Sequence, residues 1–175
     1  GWSKDGSDEL LQNEAEARVA EAQKRLIHAV ETMPQGFAIF DAADNLTLCN
    51  SRYEEFLAPA SGMLAPGEKY AAILHRAAAI GLFAGDHQDV AALLETLVDH
   101  HGRESLEIET QLADERWVQI SCGLTDGNGT IEIWHDISRI KNREEKLRAA
   151  EGVSSAAREQ AEFASRTKTE FLANM

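Results

Sequence analysis

The sequence predicts an α+β fold: one antiparallel sheet with helices on one face and a further helix at each end of the chain. Three observations predict it. Residues 8–33 contain neither Gly nor Pro and repeat apolar side chains at helical spacing. The apolar period then drops to two over 106–134, after a short strand-like hairpin at 36–49. From residue 138 onward the pattern is helical again.

The first helix carries Val19, Ala22, Leu26, Ala29 and Met33 at alternating spacings of three and four, a narrow seam that suits a two-stranded coil better than a domain core. Pro34 ends it. Residues 36–40 read as a strand, 41–45 as a turn and 46–49 as a second strand, which together make a hairpin. Asn50 or Ser51 can cap a short helix over 52–57 by accepting from amides that a first helical turn leaves free. Pro59, Gly62, Pro66 and Gly67 mark a loop. Two helices follow, over 68–80 and 86–101, separated by Gly81 and Gly85, with Val90, Leu93, Leu94, Leu97 and Val98 on one face of the second.

Three strands come next. Leu106, Ile108 and Thr110 alternate with Glu107, Glu109 and Gln111, and Val118, Ile120, Cys122 and Leu124 alternate with Trp117, Gln119 and Ser121. Ile131 and Ile133 alternate with Glu132 and Trp134, after a turn at Asp126-Gly127-Asn128-Gly129 whose glycines are read as serving backbone dihedrals. If the aliphatic residues face the covered side, Trp117 and Trp134 fall on the opposite face, where an N-terminal helix or a partner protomer would cover them. In the last helix, Ile140, Leu147, Ala157, Ala161, Ala164 and Phe171 fall on a heptad seam dominated by small residues. Such a seam buries little area, so pairing through it is marginal. Gly152 reads either as a soft point between two helical segments or as a tolerated glycine.

Composition narrows the function classes. Residues 34–138 hold five Lys/Arg against seventeen Asp/Glu, a net of −12 within a chain total of −13. So acidic a unit repels phosphate backbones, which excludes nucleic-acid binding. Cys49 and Cys122 are far apart and in apolar runs, the pattern of buried reduced thiols in a cytoplasmic protein. No run approaches the roughly 18–20 apolar residues of a membrane span. A membrane anchor of the parent protein, in an inner membrane, would precede residue 1. His100 and His101 are read as a solvated helix cap, His28 and His87 as surface residues, and His135 either as touching the covered side or as bonding at a strand end. The carboxylate pairs Glu54–Glu55 and Glu107/Glu109 belong to solvated faces. No catalytic group and no metal-ligand set is read, and no phosphate-cradling glycine loop is present.

The segments MPQGFAIFDAADNLTLCNSRYEEFL (33–57), AAIGLFAGD (78–86) and ERWVQISCGLTDGNGTIEIWHDIS (115–138) resemble PAS domains of bacterial sensor kinases. The junction Asp136-Ile137-Ser138 resembles the passage from the last PAS strand into an output helix, and SRTKTEFLANM (165–175) is similar to the start of the dimerisation helix of sensor histidine kinases, with the phosphoacceptor histidine placed beyond residue 175. The resemblance implies a five-stranded antiparallel PAS sheet with helices on one face, flanked by coiled-coil helices. It divides the chain into a dimerisation helix at 1–33, a PAS sensor at 34–137 and a signalling helix at 138–175. It further implies a homodimer joined through both flanking helices, a pocket for a small-molecule ligand, a kinase core in cis and a response regulator downstream. The kinase activity itself would lie outside these residues. No cofactor is favoured, and the photosensory Asn-Cys-Arg-Phe-Leu-Gln signature is missing. A haem-binding alternative would use His75, because haem-binding PAS domains take their axial histidine from a helix in this region.

Overall fold

The computed structural model describes residues 5–57, 64–103 and 105–175, with the side chains of Asp5 and Gly6 left aside. Pro59 and Gly62, read in the sequence as loop punctuation, lie outside the described residues. The chain forms two compact units, 1–136 and 137–175.

The first unit opens with α1 (Asp5–Glu31), whose described side chains are all exposed except half-buried Val30. β1 (Gly36–Phe40) and β2 (Leu46–Cys49) form the expected hairpin, and α2 (Ser51–Leu57) follows at once. Asn50 joins these pieces. Its Oδ1 accepts from the amides of Phe37 and Tyr53, both at 2.9 Å, so it caps α2 and holds β1 together. Its Nδ2 donates to the carbonyls of Val30 and Gln35, again at 2.9 Å, which fixes where α1 ends.

α3 (Tyr70–Ala79) and α4 (His87–His100) sit slightly inside the predicted bounds. The Asp86 side chain caps α4 by accepting from the amides of Gln88 and Asp89. β3 (Leu106–Gln111), β4 (Trp117–Leu124) and β5 (Thr130–Asp136) complete one five-stranded sheet of order β2-β1-β5-β4-β3, antiparallel at every pairing. First and last strands therefore lie side by side at the centre of the sheet.

One face of the sheet is packed. Ala38, Phe40, Leu46, Val118, Ile120, Cys122 and Trp134 are buried there with Tyr53 and Phe56 of α2, Ile73 and Leu74 of α3, and Leu97 of α4. The phase of β5 is the reverse of the predicted one. Thr130, Glu132 and Trp134 are buried, while Ile131, Ile133 and His135 are half-buried on the outer face. The register explains the reversal, because Ile120 pairs with Trp134 and Cys122 with Glu132, and directly opposed residues share a face. Trp134 thus lies inside the core at 0% exposure instead of on the outer face. Trp117 shares the outer face with Gln119 and Ser121 and is half-buried.

The β4–β5 turn also departs from expectation. Its left-handed position is taken by Asn128 (φ 58°) and not by a glycine. Gly129 is required for a different reason, since a Cβ there would come within 2.4 Å of the Phe40 carbonyl oxygen.

The second unit is α5 (Ser138–Ala173), 36 residues with none of its helical side chains buried. It runs through Gly152 without a break, so that glycine is tolerated in the helix interior. Ile140, Leu147 and Phe171 are all exposed along it.

Candidate functional site

The packed face of the sheet contains a cluster of polar groups contributed by six separate parts of the chain. Register supplies the first pair, since Cys122 and Glu132 face each other across β4 and β5, with Sγ 3.6 Å from Oε2. Glu132 is fully buried. A carboxylate in an apolar interior is tolerated only when hydrogen-bonded or charge-balanced. Its Oε1 accepts from the Tyr53 hydroxyl of α2 at 2.8 Å and from the Trp134 indole at 2.6 Å. Oε2 accepts a long hydrogen bond from the Cys122 thiol. Among the described residues no lysine or arginine lies within ion-pair distance of it, and the nearest basic nitrogen is His101 Nε2 at 4.0 Å.

His101 reaches this spot because it continues the buried stripe of α4. It follows Leu97 by four residues and Leu94 by seven, so it falls on the same helix face. There the backbone leaves the helix (φ −61°, ψ 130°) and Gly102 takes φ 75°. The imidazole is 3% exposed. It is therefore not the solvated cap that adjacent histidines at a helix end imply. Tyr70 stacks on it with centroids 3.6 Å apart and planes 12° from parallel, and Phe40 meets it edge-on at 4.9 Å. Nδ1 is 2.9 Å from Asp44 Oδ1, which the left-handed residue of the β1–β2 turn (φ 59°) extends over the helix end. Among the described residues Nε2 has no hydrogen-bond partner, and neither have the buried hydroxyls of Tyr70 and Thr130.

Electrostatics follow from this burial. Desolvation, then the Glu132 carboxylate, push the Cys122 thiol well up. The same causes in the same order hold the phenols of Tyr53 and Tyr70 neutral. Cys49, half-buried beside Glu54, is pushed up to about 11, mainly by burial. Trp134 is boxed by Tyr53, Phe56 and Phe83 at centroid distances of 6.1, 5.9 and 6.2 Å. These three aromatic contacts and the Glu132 bond fix the indole.

Of the residues singled out in the sequence, few converge here. His75 is exposed, one position beyond buried Leu74 on α3, and faces a groove shared with His87, Val90 and Leu94 on α4. A helical step of about 100° turns it away from the interior, so it does not enter the core as an axial ligand would. His135 lies on the outer face in a second groove with Met33, Phe37 and Ile133. Val19, Leu26 and Met33 are exposed on and just after α1, and Ala157, Ala161 and Ala164 are exposed on α5. Asp136 ends β5, Ile137 is buried, and Ser138 starts α5. The interior cluster itself was missed, apart from Cys122 as a buried thiol. The stripe Leu94, Leu97, His101 was the signal that pointed to it.

A sheet of order β2-β1-β5-β4-β3 with helices packed on one face and buried polar groups beneath them is the arrangement of a small sensory domain. The PAS fold family matches residues 30–145, about two thirds of the chain, and the chain belongs to that family. It is 30% identical over 182 residues to the "Non-motile and phage-resistance protein" of Caulobacter vibrioides, covering 92% of this chain and 20% of that protein. The chain therefore spans about a fifth of that relative's length. Similar solved structures include the PAS domain of an HTR-like protein from Haloarcula marismortui, 20% identical with a TM-score of 0.43 over 71% of this chain and 99% of that one. The PAS domain of BvgS from Bordetella pertussis is 16% identical with a TM-score of 0.45 over 75% and 98% of the two chains. PAS domains sense signals, and that is the class of activity assigned to this chain. No helix among the described residues is long and apolar enough to cross a membrane.

Proposed function

We propose that this chain is the input module of a dimeric sensor histidine kinase, passing a signal from the PAS core through Asp136-Ile137-Ser138 into α5. The observation that carries this reading is α5 itself. A 36-residue helix whose Ile140, Leu147, Phe163 and Phe171 are all exposed gains nothing by itself from that apolar surface, and a helix pair is the usual way to bury it. Its closing residues, Lys168 to Met175, are those that resemble the start of a kinase dimerisation helix.

The outer face of the sheet supports pairing from the other end. Phe37 pairs with Ile133 and Ile39 with Ile131, which gives the two central strands a half-buried apolar strip on the outer face of the sheet. A partner protomer is the proposed cover. In this reading the kinase core acts in cis, a response regulator takes the phosphoryl group, and a ligand shifts the balance between two helix packings. The full-length protein incubated with ATP should form an acid-labile, base-stable phosphoprotein, the signature of phosphohistidine. A full-length protein that folds, binds ATP and forms none would overturn the kinase reading.

A further inference from the structure

Three potential ligand atoms face one another in the core: His101 Nε2, Cys122 Sγ and Glu132 Oε2 all lie within 4.8 Å of each other, on residues that are all buried. Two of the three, His101 and Glu132, are also held from behind. Asp44 Oδ1 accepts at His101 Nδ1, which places the hydrogen there and leaves the Nε2 lone pair toward the cluster. Tyr53 and Trp134 both bond Glu132 Oε1, which leaves Oε2 facing the Cys122 thiol. Tyr70 and Phe40 fix the imidazole plane.

Three electron-rich atoms aimed at one point call for a positive charge between them. The 4.0 Å between Nε2 and Oε2 is too long for a hydrogen bond, so no proton is shared between those two, and the thiol proton that Cys122 directs at Oε2 over 3.6 Å is the one an ion would displace. A metal ion fits the distances better. Bonds of about 2.0–2.3 Å from a tetrahedral ion to N, O and S hold ligand atoms roughly 3.3–3.7 Å apart, so small side-chain shifts close the site. The charges also match, since a thiolate, a carboxylate and a neutral imidazole offset a dication where no lysine or arginine among the described residues pairs with Glu132.

We propose that His101, Cys122 and Glu132 bind one divalent transition-metal ion of the zinc class, with Asp44 as the positioning residue that orients the imidazole. The mixed N, S, O donor set favours such an ion over magnesium or calcium, which prefer oxygen alone. A carboxylate behind a metal-bound histidine is a recurrent feature of such centres. Three protein ligands leave a fourth position for a water or a small ligand. The site stands independently of the kinase reading, because it uses only groups within the PAS core.

Cobalt(II) titrated into chelator-treated protein under reducing conditions tests it. The expected result is one ion per chain, with the visible bands of a four-coordinate site and a near-ultraviolet thiolate charge-transfer band that Cys122→Ser abolishes and Cys49→Ser leaves intact. Asp44→Asn guards against a folding artefact, since Asn also accepts a left-handed backbone and the side chain is 38% exposed. It should weaken binding by about 10- to 100-fold while keeping the thiolate band. No stoichiometric uptake by the wild type, a thiolate band that survives Cys122→Ser, or an unchanged affinity in Asp44→Asn would overturn the proposal.

Discussion

Asn50 shows how much one side chain can organise. Its amide oxygen serves two backbone donors and its amide nitrogen two backbone carbonyls, so a single residue fixes the end of α1, the start of β1 and the first turn of α2. Asn50→Ala strips four backbone groups of their partner and should cost about 3 kcal/mol in urea unfolding, on the basis of roughly 1 kcal/mol per hydrogen bond lost and more where water cannot enter. Asn50→Asp should be no milder, because an ionised carboxylate has no donor for the carbonyls of Val30 and Gln35. Tyr53→Phe removes one of the two donors to Glu132 Oε1, and metal-free protein should lose about 1–3 kcal/mol. The buried thiols and phenols set an alkaline limit. Unfolded cysteines ionise near 9.0 and tyrosines near 10.0, while in the folded protein burial raises Cys49 to about 11, pushes Cys122 further up, and holds Tyr53 and Tyr70 well above their ordinary value. Above pH 9 the unfolded state therefore sheds protons that the native state retains, and stability falls as pH rises. Metal-free protein should show a flat contribution from these groups below about pH 8 and a declining urea midpoint above 9. A midpoint rising through that range would contradict the burial assigned to these groups.

At the scale of the elements, the β4–β5 turn separates two kinds of glycine. Gly129→Ala would drive a Cβ against the Phe40 carbonyl and should cost more than about 2 kcal/mol, whereas Gly127 has nothing within 4 Å and Gly127→Ala should be neutral or stabilising by up to about 1 kcal/mol. Thermal melts of the two variants decide it. The same turn shows what was legible in the sequence. Each helix and strand was, because helical spacing and strict alternation are strong local signals, and the bounds differ only at their ends. Strand phase in β5 was not. Both faces of the central strands carry apolar residues, so hydropathy favoured Ile131 and Ile133 for the interior, while the structure buries Glu132 and Trp134. What makes a buried glutamate tolerable is a tyrosine 79 residues away, and no local window contains it. His101 was partly legible, since it continues the Leu94–Leu97 stripe, but two adjacent histidines at a helix end look like a solvated cap until the backbone turn at His101 is known.

The whole molecule joins an acidic sensory core to a helix with an exposed, small-residue seam. The formal charge of −13 resides almost entirely in the PAS portion, so association between protomers should strengthen as salt screens that repulsion. Pairing through Ala157, Ala161 and Ala164 is proposed to be weak by design of size: alanine buries little, and a weak interface can hold two packings of similar energy. Replacing Ala157 and Ala161 with Leu should add about 2 kcal/mol per packed side chain and tighten dimerisation by more than tenfold in sedimentation equilibrium. In the full-length protein the same pair should flatten the response to stimulus, and a retained response would count against transmission through α5. The most direct measurement is native mass spectrometry of the freshly purified chain at micromolar concentration in moderate salt. The account predicts a predominant mass of twice 19.2 kDa that falls to the single-chain mass when Ile140, Leu147 and Phe171 are changed to Glu. A wild-type chain found only as a single protomer under those conditions would contradict it.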